Sequence, residues 1–165
     1  MDLLVDRAGF VIWGSWRMRC ALGRSGINAR KREGDGATPV GSFAMRQLLY
    51  RPDRETRPRT ALPVKPIQQD DGWCDAPGDR AYNRLVRLPY PASAEQLWRD
   101  DHLYDLLVVL GYNDDPVVAG QGSAIFLHLA RPDYGPTEGC VALSHADMVA
   151  VLAAADPVSR VIVLG

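Results

Sequence analysis

The sequence predicts a mainly β domain with one or two short helices. Short runs rich in Val, Leu and Ile recur along the whole chain. Gly, Pro and Asp separate these runs, as turn residues do between strands. Only two stretches read as helical. The 165 residues fit a single domain spanning 1–165, and no internal repeat is evident. With 47% apolar and 24% charged residues, a packed core is expected.

Taken in order, LLVDRAGFVIWGSWRMRCALG reads as two short strands around turns at residues 6–9 and Gly14. TPVGSFAMRQLLYR reads as a turn and a strand that points Phe43, Met45 and Leu48 inward. YNRLVRLPY alternates and stops at Pro89, while DLLVVLGYN is a buried-strand pattern ending at Gly111. SAIFLHLA is another strand, and VSRVIVLG closes the chain as the last one. Residues 51–79 are polar and hold five prolines. Leu62, Val64, Ile67 and Trp73 can anchor them, which favours a functional loop or lid over a free linker.

SAEQLWRDDHLY, opening at Ser93, reads as a short helix. SHADMVAVLAAAD reads as a clearer one, with Ser144 as N-cap and Asp147 three residues on. Met148, Val149, Leu152 and Ala155 would share its apolar face, and Pro157 follows it.

Several function classes are disfavoured by composition. A net charge of −1 lacks the basic excess of a nucleic-acid binder. No apolar run reaches the roughly 18 residues of a spanning helix. Asp2, Asp6 and Arg7 interrupt the N-terminal segment too early for a secretory signal. The expectation is a cytoplasmic protein, or a periplasmic one where a leader has been removed. Cys20, Cys74 and Cys140 are odd in number and widely spaced, so reduced thiols are expected rather than a disulfide framework. Neither CxxC nor HExxH occurs, so a structural or catalytic zinc has weak support.

The chemistry concentrates in SAIFLHLARPDYGPTEGCVALSHADM, residues 123–148. Gly139 before Cys140 permits a backbone turn that can aim the N–H groups of Gly139 and Cys140 at an oxyanion. A free cysteine taken alone is more often a small buried hydrophobe. In the strand before it, alternation puts Ile125, Leu127 and Leu129 on one face, and Phe126, His128 and Ala130 on the other. A lone histidine is more often structural. Beside a thiol, however, His128 can take its proton and favour a thiolate at neutral pH. His102 and His145 read as an exposed residue and a first-turn helix residue.

At this point the sequence resembles the YkuD-type L,D-transpeptidase catalytic domain (the ErfK/YbiS/YcfS/YnhG family). That family carries an upstream His and an S/T-x-G-C element with a nucleophilic Cys. These match His128 and Thr137-Glu138-Gly139-Cys140, and its T-P-x-G-x-F element matches Thr38-Pro39-Val40-Gly41-Ser42-Phe43. The resemblance covers roughly residues 22–165 under a single-domain reading. The chain departs from the usual S-H-G-C-x-R pattern: Glu138 stands for the His, and Ala142 for the Arg. Leu129 follows His128 where Gly is frequent. A divergent branch is implied, with EGDGATPVG and GSAIFLH as its segments, and Arg131 is the candidate replacement for the missing Arg.

The resemblance implies a β-sandwich with a lid over the active-site groove, and no cofactor. It implies catalysis by Cys140 and His128 on peptidoglycan stem tetrapeptides, or on muropeptides, at the meso-diaminopimelate–D-Ala bond. Water as acceptor gives an L,D-carboxypeptidase suited to muropeptide recycling, which is the favoured reading. An amine acceptor gives a transpeptidase making 3→3 cross-links. Acylation by carbapenems is implied as well. Thr137, Glu138, Trp73, Asp75, Tyr112 and Asn113 are further candidate groove residues. The alternative from another class is a noncatalytic peptidoglycan-peptide binding module. The sequence carries no signal for oligomeric state.

Overall fold

The computed structural model describes all 165 residues. Its strands are β1 (Asp2–Val5), β2 (Phe10–Trp13), β3 (Trp16–Ala21), β4 (Ile27–Asn28), β5 (Thr38–Pro39), β6 (Gly41–Tyr50) and β7 (Val64–Pro66). They continue with β8 (Asp71–Cys74), β9 (Leu85–Arg87), β10 (Ala94–Gln96), β11 (Leu106–Leu110), β12 (Phe126–Leu129) and β13 (Val141–Leu143). Helix α1 (His145–Ala154) and β14 (Arg160–Val163) end the chain. The mainly β expectation holds. No helix is long and apolar enough to cross a membrane.

Nine strands form one sheet in the order β11-β12-β13-β3-β2-β1-β14-β6-β7. An additional β11–β6 pairing closes it into a sandwich-like ring. Period-two alternation then gives every strand an inner and an outer row. Inner residues such as Leu3, Val11, Met45, Leu48, Leu127, Leu143 and Val161 make the main core, which Met148, Val151 and Leu152 of α1 extend. Outer residues Leu49, Leu107, Phe126 and Cys140 meet a second cluster with Ile67, Trp73, Leu97 and Tyr104. The three-stranded sheet β10-β8-β9 covers that outer face.

Phe43, Met45 and Leu48 all point inward, although strict alternation would send Leu48 out. The register shifts between Val109↔Gln47 and Leu110↔Met45, so Arg46 is an extra residue on β6. Such a bulge resets the alternation. The T-P-x-G-x-F element has structural duties here. The Thr38 hydroxyl accepts the Gly23 N–H at 2.9 Å, and the Phe43 ring closes over Gly41, where a Cβ would come within 2.8 Å of it.

Three expectations are corrected. The first 21 residues form three strands, not two. Residues 93–104 are not helical: β10 pairs antiparallel with β8, Ala94 opposite Cys74 and Glu95 opposite Trp73. The backbone carbonyls beyond it are captured by guanidinium groups, Arg51 to Arg99 O at 2.6 Å and Arg54 to Asp101 O at 2.6 Å and Asp100 O at 3.0 Å. A helix would need those acceptors for its own ladder. In α1, Ser144 caps as expected, accepting the Asp147 N–H at 3.2 Å. Val149 is exposed, however, and Val151 takes the core position. The Pro-rich segment is folded: Leu62, Ile67 and Trp73 are buried anchors, while Val64 is only partly covered.

Phe126 is fully buried and meets Trp73 and Tyr104 edge-on, with centroids 5.1 and 5.9 Å away. Phe126→Ala should therefore destabilise the protein by about 3–5 kcal/mol in urea titration. A loss below about 1 kcal/mol would mean that the cover does not depend on this contact.

Candidate active site

Strands β12 and β13 run parallel, with Leu127 opposite Val141 and His128 opposite Ala142. Cys140 immediately precedes β13 and shares the outer face with Ala142, as His128 shares it with Phe126. Adjacent strands thus deliver His128 and Cys140 to the same side. Both line one cavity of ≈ 320 Å³, roofed by residues of the cover and of the 31–34 segment.

The turn before Cys140 is tightly specified. The Thr137 hydroxyl donates to Cys140 O at 2.7 Å and accepts the Gly139 N–H at 3.1 Å. Thr137 is also held to the main sheet, its N–H on Leu22 O at 2.9 Å and its carbonyl on the Arg24 N–H at 2.8 Å. Gly139 has φ +142, and a Cβ there would lie 2.8 Å from Ala37 O. Only glycine meets both demands without strain. With the Gly139 amide committed to Thr137, the Cys140 N–H is left as the free donor beside the sulfur.

The resting site differs from an ion pair. The Cys140 thiol donates to Ala124 O at 3.2 Å and receives the Phe126 N–H at 3.4 Å, rather than bonding to His128. Burial, followed by the nearby Glu95 carboxylate, pushes the thiol up to about 12. Burial brings the imidazole of His128 down to about 4, opposed by its hydrogen bond to Leu129 O. The expected neutral-pH thiolate is thus corrected: desolvation holds both groups uncharged. The group that orients the ring is the Leu129 carbonyl, 2.8 Å from Nδ1. A carbonyl can only accept, so Nδ1 carries the proton and Nε2 keeps its lone pair. Tyr104 packs edge-on against the ring at 5.2 Å.

Of the other expected groove residues, Arg131, Thr137, Glu138 and Asp75 line the cavity. Glu138 is largely exposed and pairs with Arg24 at 2.9 Å. Trp73, Tyr112 and Asn113 do not line it. Trp73 lies in the second core, its Nε1 donating to Asn83 Oδ1 at 2.9 Å. Tyr112 packs edge-on against Phe43 at 5.5 Å, and its hydroxyl donates to Gln121 O. Asn113, at φ +46, ties its own loop through Val118 O at 3.0 Å and Gly122 O at 2.9 Å. These three serve packing and turn formation.

His102 bonds Asp105 at 2.7 Å, and His145 bonds Glu55 at 2.7 Å; neither lines the cavity. No cluster of His, Cys, Asp and Glu suited to a metal is present. Sequence reasoning missed Lys31, Glu33, Glu95, Arg99, Tyr104 and Ser123, all on the cavity wall. The EGDG run was a usable signal for the 31–36 wall. Glu95, Arg99 and Tyr104 lay in the segment read as a helix.

A scan against protein-family models matches the L,D-transpeptidase catalytic domain (YkuD) over residues 4–163. The chain belongs to this family. The match includes β1–β3, upstream of the residue 22 boundary expected from motifs. Among solved structures, L,D-transpeptidase 1 of Mycobacterium tuberculosis is similar at 14% identity and a TM-score of 0.46, over 99% of this chain and 58% of that one. An L,D-transpeptidase from Mycobacterium smegmatis is similar at 13% identity and 0.47, again over 99% and 58%. The helical cell shape determining protein Pgp2 of Campylobacter jejuni gives 17% and 0.49, over 98% of this chain and 46% of that one. The chain thus spans little more than half the length of those mycobacterial structures. A search of curated proteins returns no significant match.

Two of the three family departures have visible settings. Glu138, in place of His, closes an ion pair at the rim. Ala142, in place of Arg, is 1% exposed and sits in register with His128, where only a small side chain shares the floor. Arg131 on the rim is the exposed cation nearest in sequence.

Because the free thiol is neutral, alkylation of Cys140 by iodoacetamide should be slow at pH 7 and rise about tenfold per pH unit up to pH 10, without a plateau. Peptide mass mapping against pH measures this. A plateau below pH 8 would reveal a preformed thiolate.

Proposed function

We propose that the protein is a cysteine acyl-transfer enzyme that removes the terminal D-Ala from peptidoglycan stem tetrapeptides. The carrying observation is the juxtaposition of His128 and Cys140 on adjacent parallel strands at the floor of one cavity. A peptide-binding module would not need a free imidazole nitrogen and a thiol in the same cavity.

In this mechanism Sγ attacks the carbonyl at the L-centre of meso-diaminopimelate while Nε2 takes the thiol proton. The Cys140 N–H, left free by the Thr137–Gly139 contact, donates to the developing oxyanion. One such donor contributes about 2.7–4 kcal/mol in comparable sites. Nε2 then returns the proton to the departing D-Ala amine as the C–N bond breaks. Water attacks the thioester, loses a proton to Nε2, and releases the tripeptide and the thiol.

Two features support this substrate and acceptor. The wall combines cations (Lys31, Arg99, Arg131) with carboxylates (Glu33, Asp75, Glu95), as a zwitterionic diaminopimelate arm requires. At ≈ 320 Å³ the cavity is near the lower end of ligand sites, which run roughly 300–1,000 Å³. That volume suits one peptide arm and a water better than two peptide arms. Released muropeptides are the proposed substrate pool.

Incubation with L-Ala-γ-D-Glu-meso-diaminopimelyl-D-Ala should release D-Ala in the wild type, and Cys140→Ala should abolish it. His128→Ala should lower kcat by at least about a hundredfold. Added acceptor stem should leave tripeptide as the main product; a 3→3 dimer would make the protein a transpeptidase. Intact-mass analysis should find a carbapenem adduct on Cys140. Labelling of Cys20 or Cys74, or release that persists in Cys140→Ala, would overturn the thiol mechanism.

A further inference from the structure

The wall of the Cys140 cavity holds a carboxylate with no hydrogen-bond partner. Asp75 Oδ1 is buried and accepts no hydrogen bond, and it is the sole buried side-chain oxygen or nitrogen in this condition. Such groups are rare because each loses its water without compensation. Asp75 follows β8, and its N–H extends the ladder to Ser93 O at 3.2 Å. Glu95 lies on the neighbouring β10, opposite Trp73. Alternation puts Asp75, Trp73 and Glu95 on one face of the cover. That face meets Phe126 and Cys140 through Trp73, and both carboxylates line the cavity.

Glu95 sits deep. Its Oε1 receives the Tyr104 hydroxyl at 2.6 Å, and its remaining surface meets the cavity. Two of the three cations of the same wall are already engaged, and Arg131 lies exposed at the rim. Arg99 makes a two-pronged pair with Asp101 at 2.8 and 2.6 Å. Lys31 is paired with Asp35 and donates to Arg32 O at 3.0 Å. Burial holds the Glu95 carboxyl above the usual range, against the Tyr104 hydrogen bond and the Arg99 charge, while Asp75 and Glu33 add to the upward push. Neither Asp75 nor Glu95 is ion-paired to a cation, and both line the cavity that holds Cys140.

We propose that Asp75 and Glu95 form a subsite for an ammonium group of the substrate, the free amine on the D-centre of the diaminopimelate arm. The assignment rests on the acyl-transfer reading above and names the part of the substrate that the cover recognises. An ammonium has three donors, enough for Asp75 Oδ1 and a Glu95 oxygen together. It would also offset the negative field that Glu95 imposes on Cys140. Recognition and activation of the thiol are then one event.

The experiment compares two tetrapeptides, one with the free amine and one with that amine acetylated. Wild-type kcat/KM should favour the free amine by about ten- to a hundredfold, the range for hydrogen bonds to charged groups. Glu95→Gln keeps an acceptor for Tyr104 and Asp75→Asn keeps the shape. Each should lower the ratio, and the double variant should bring it close to one with unchanged melting temperature. Equal wild-type rates, or a ratio unmoved by the double variant, would overturn the subsite.

Absence of D-Ala release from either peptide would count against the acyl-transfer reading alone. Calorimetry on Cys140→Ala then decides the subsite. Binding of the free-amine peptide at least about tenfold tighter than the acetylated one supports it. Equal affinity, or no binding of either peptide, overturns it.

Discussion

The parallel register of β12 on β13 is the constraint on which the site rests. With Leu127 opposite Val141 and His128 opposite Ala142, one row of side chains fills the ring and the other faces the cover. A slip of one residue would turn His128 into the main core and expose Leu127 and Leu129. The hydrophobic energy of the inner row therefore fixes where the imidazole and the sulfur stand. The same two strands supply the amide of Phe126 that touches the sulfur and the carbonyl of Leu129 that sets the ring tautomer. Core packing and site geometry are two faces of one register.

The cover is held in place by polar contacts as well as by aromatic packing. Asn83, at φ +57 and 6% exposed, uses its whole amide. Its Oδ1 receives Trp73 Nε1 at 2.9 Å and the Ala124 N–H at 3.0 Å. Its Nδ2 donates to Tyr112 O at 3.0 Å and Asn113 O at 2.8 Å. Glu33 accepts from the Tyr82 hydroxyl at 2.6 Å and from Ser123 at 2.9 Å. Both networks converge on residues 122–124, whose last carbonyl receives the Cys140 thiol. A fully satisfied buried network specifies one arrangement because any displacement strands several groups at once. The cover is consequently a fixed wall, hydrogen-bonded on both sides of the sulfur.

What was legible in the sequence follows from how local each signal is. The inward and outward rows of 125–129 and the Ser144 cap depend on neighbours within a few residues and appear as read, whereas the Gly139 N–H expected at an oxyanion is taken by the Thr137 hydroxyl. Phe43, Met45 and Leu48 were read as inward, but the bulge at Arg46 that makes this possible requires the partner strand β11. The false helix at 93–104 has the same origin, since its carbonyls are taken by arginines some fifty residues earlier in the chain. Trp73 was read as a groove residue on the strength of its loop, yet its indole N–H is consumed by Asn83. Family motifs pointed to Cys140 and His128. They carried nothing about charge state, because desolvation is a property of the assembled cover.

That charge state bears on the logic of the site. A thiol beside an imidazole can rest as an ion pair only where the environment supports two charges. Here Cys140 packs in one apolar cluster with Phe126 and Tyr104, and the Glu95 carboxylate opposes the thiolate. Burial favours the neutral pair, and a neutral thiol is poorly reactive toward oxidants and stray electrophiles. Conversion to the reactive anion needs positive charge brought into the cavity, or a carbonyl placed so that attack and proton transfer proceed together. The substrate proposed above would bring both conditions with it. Selectivity in such a site would come from what switches the sulfur on, as well as from what fits beside it. The unpartnered carboxylate of Asp75 is the feature that makes this more than a consequence of burial, because burial alone would have left an apolar wall.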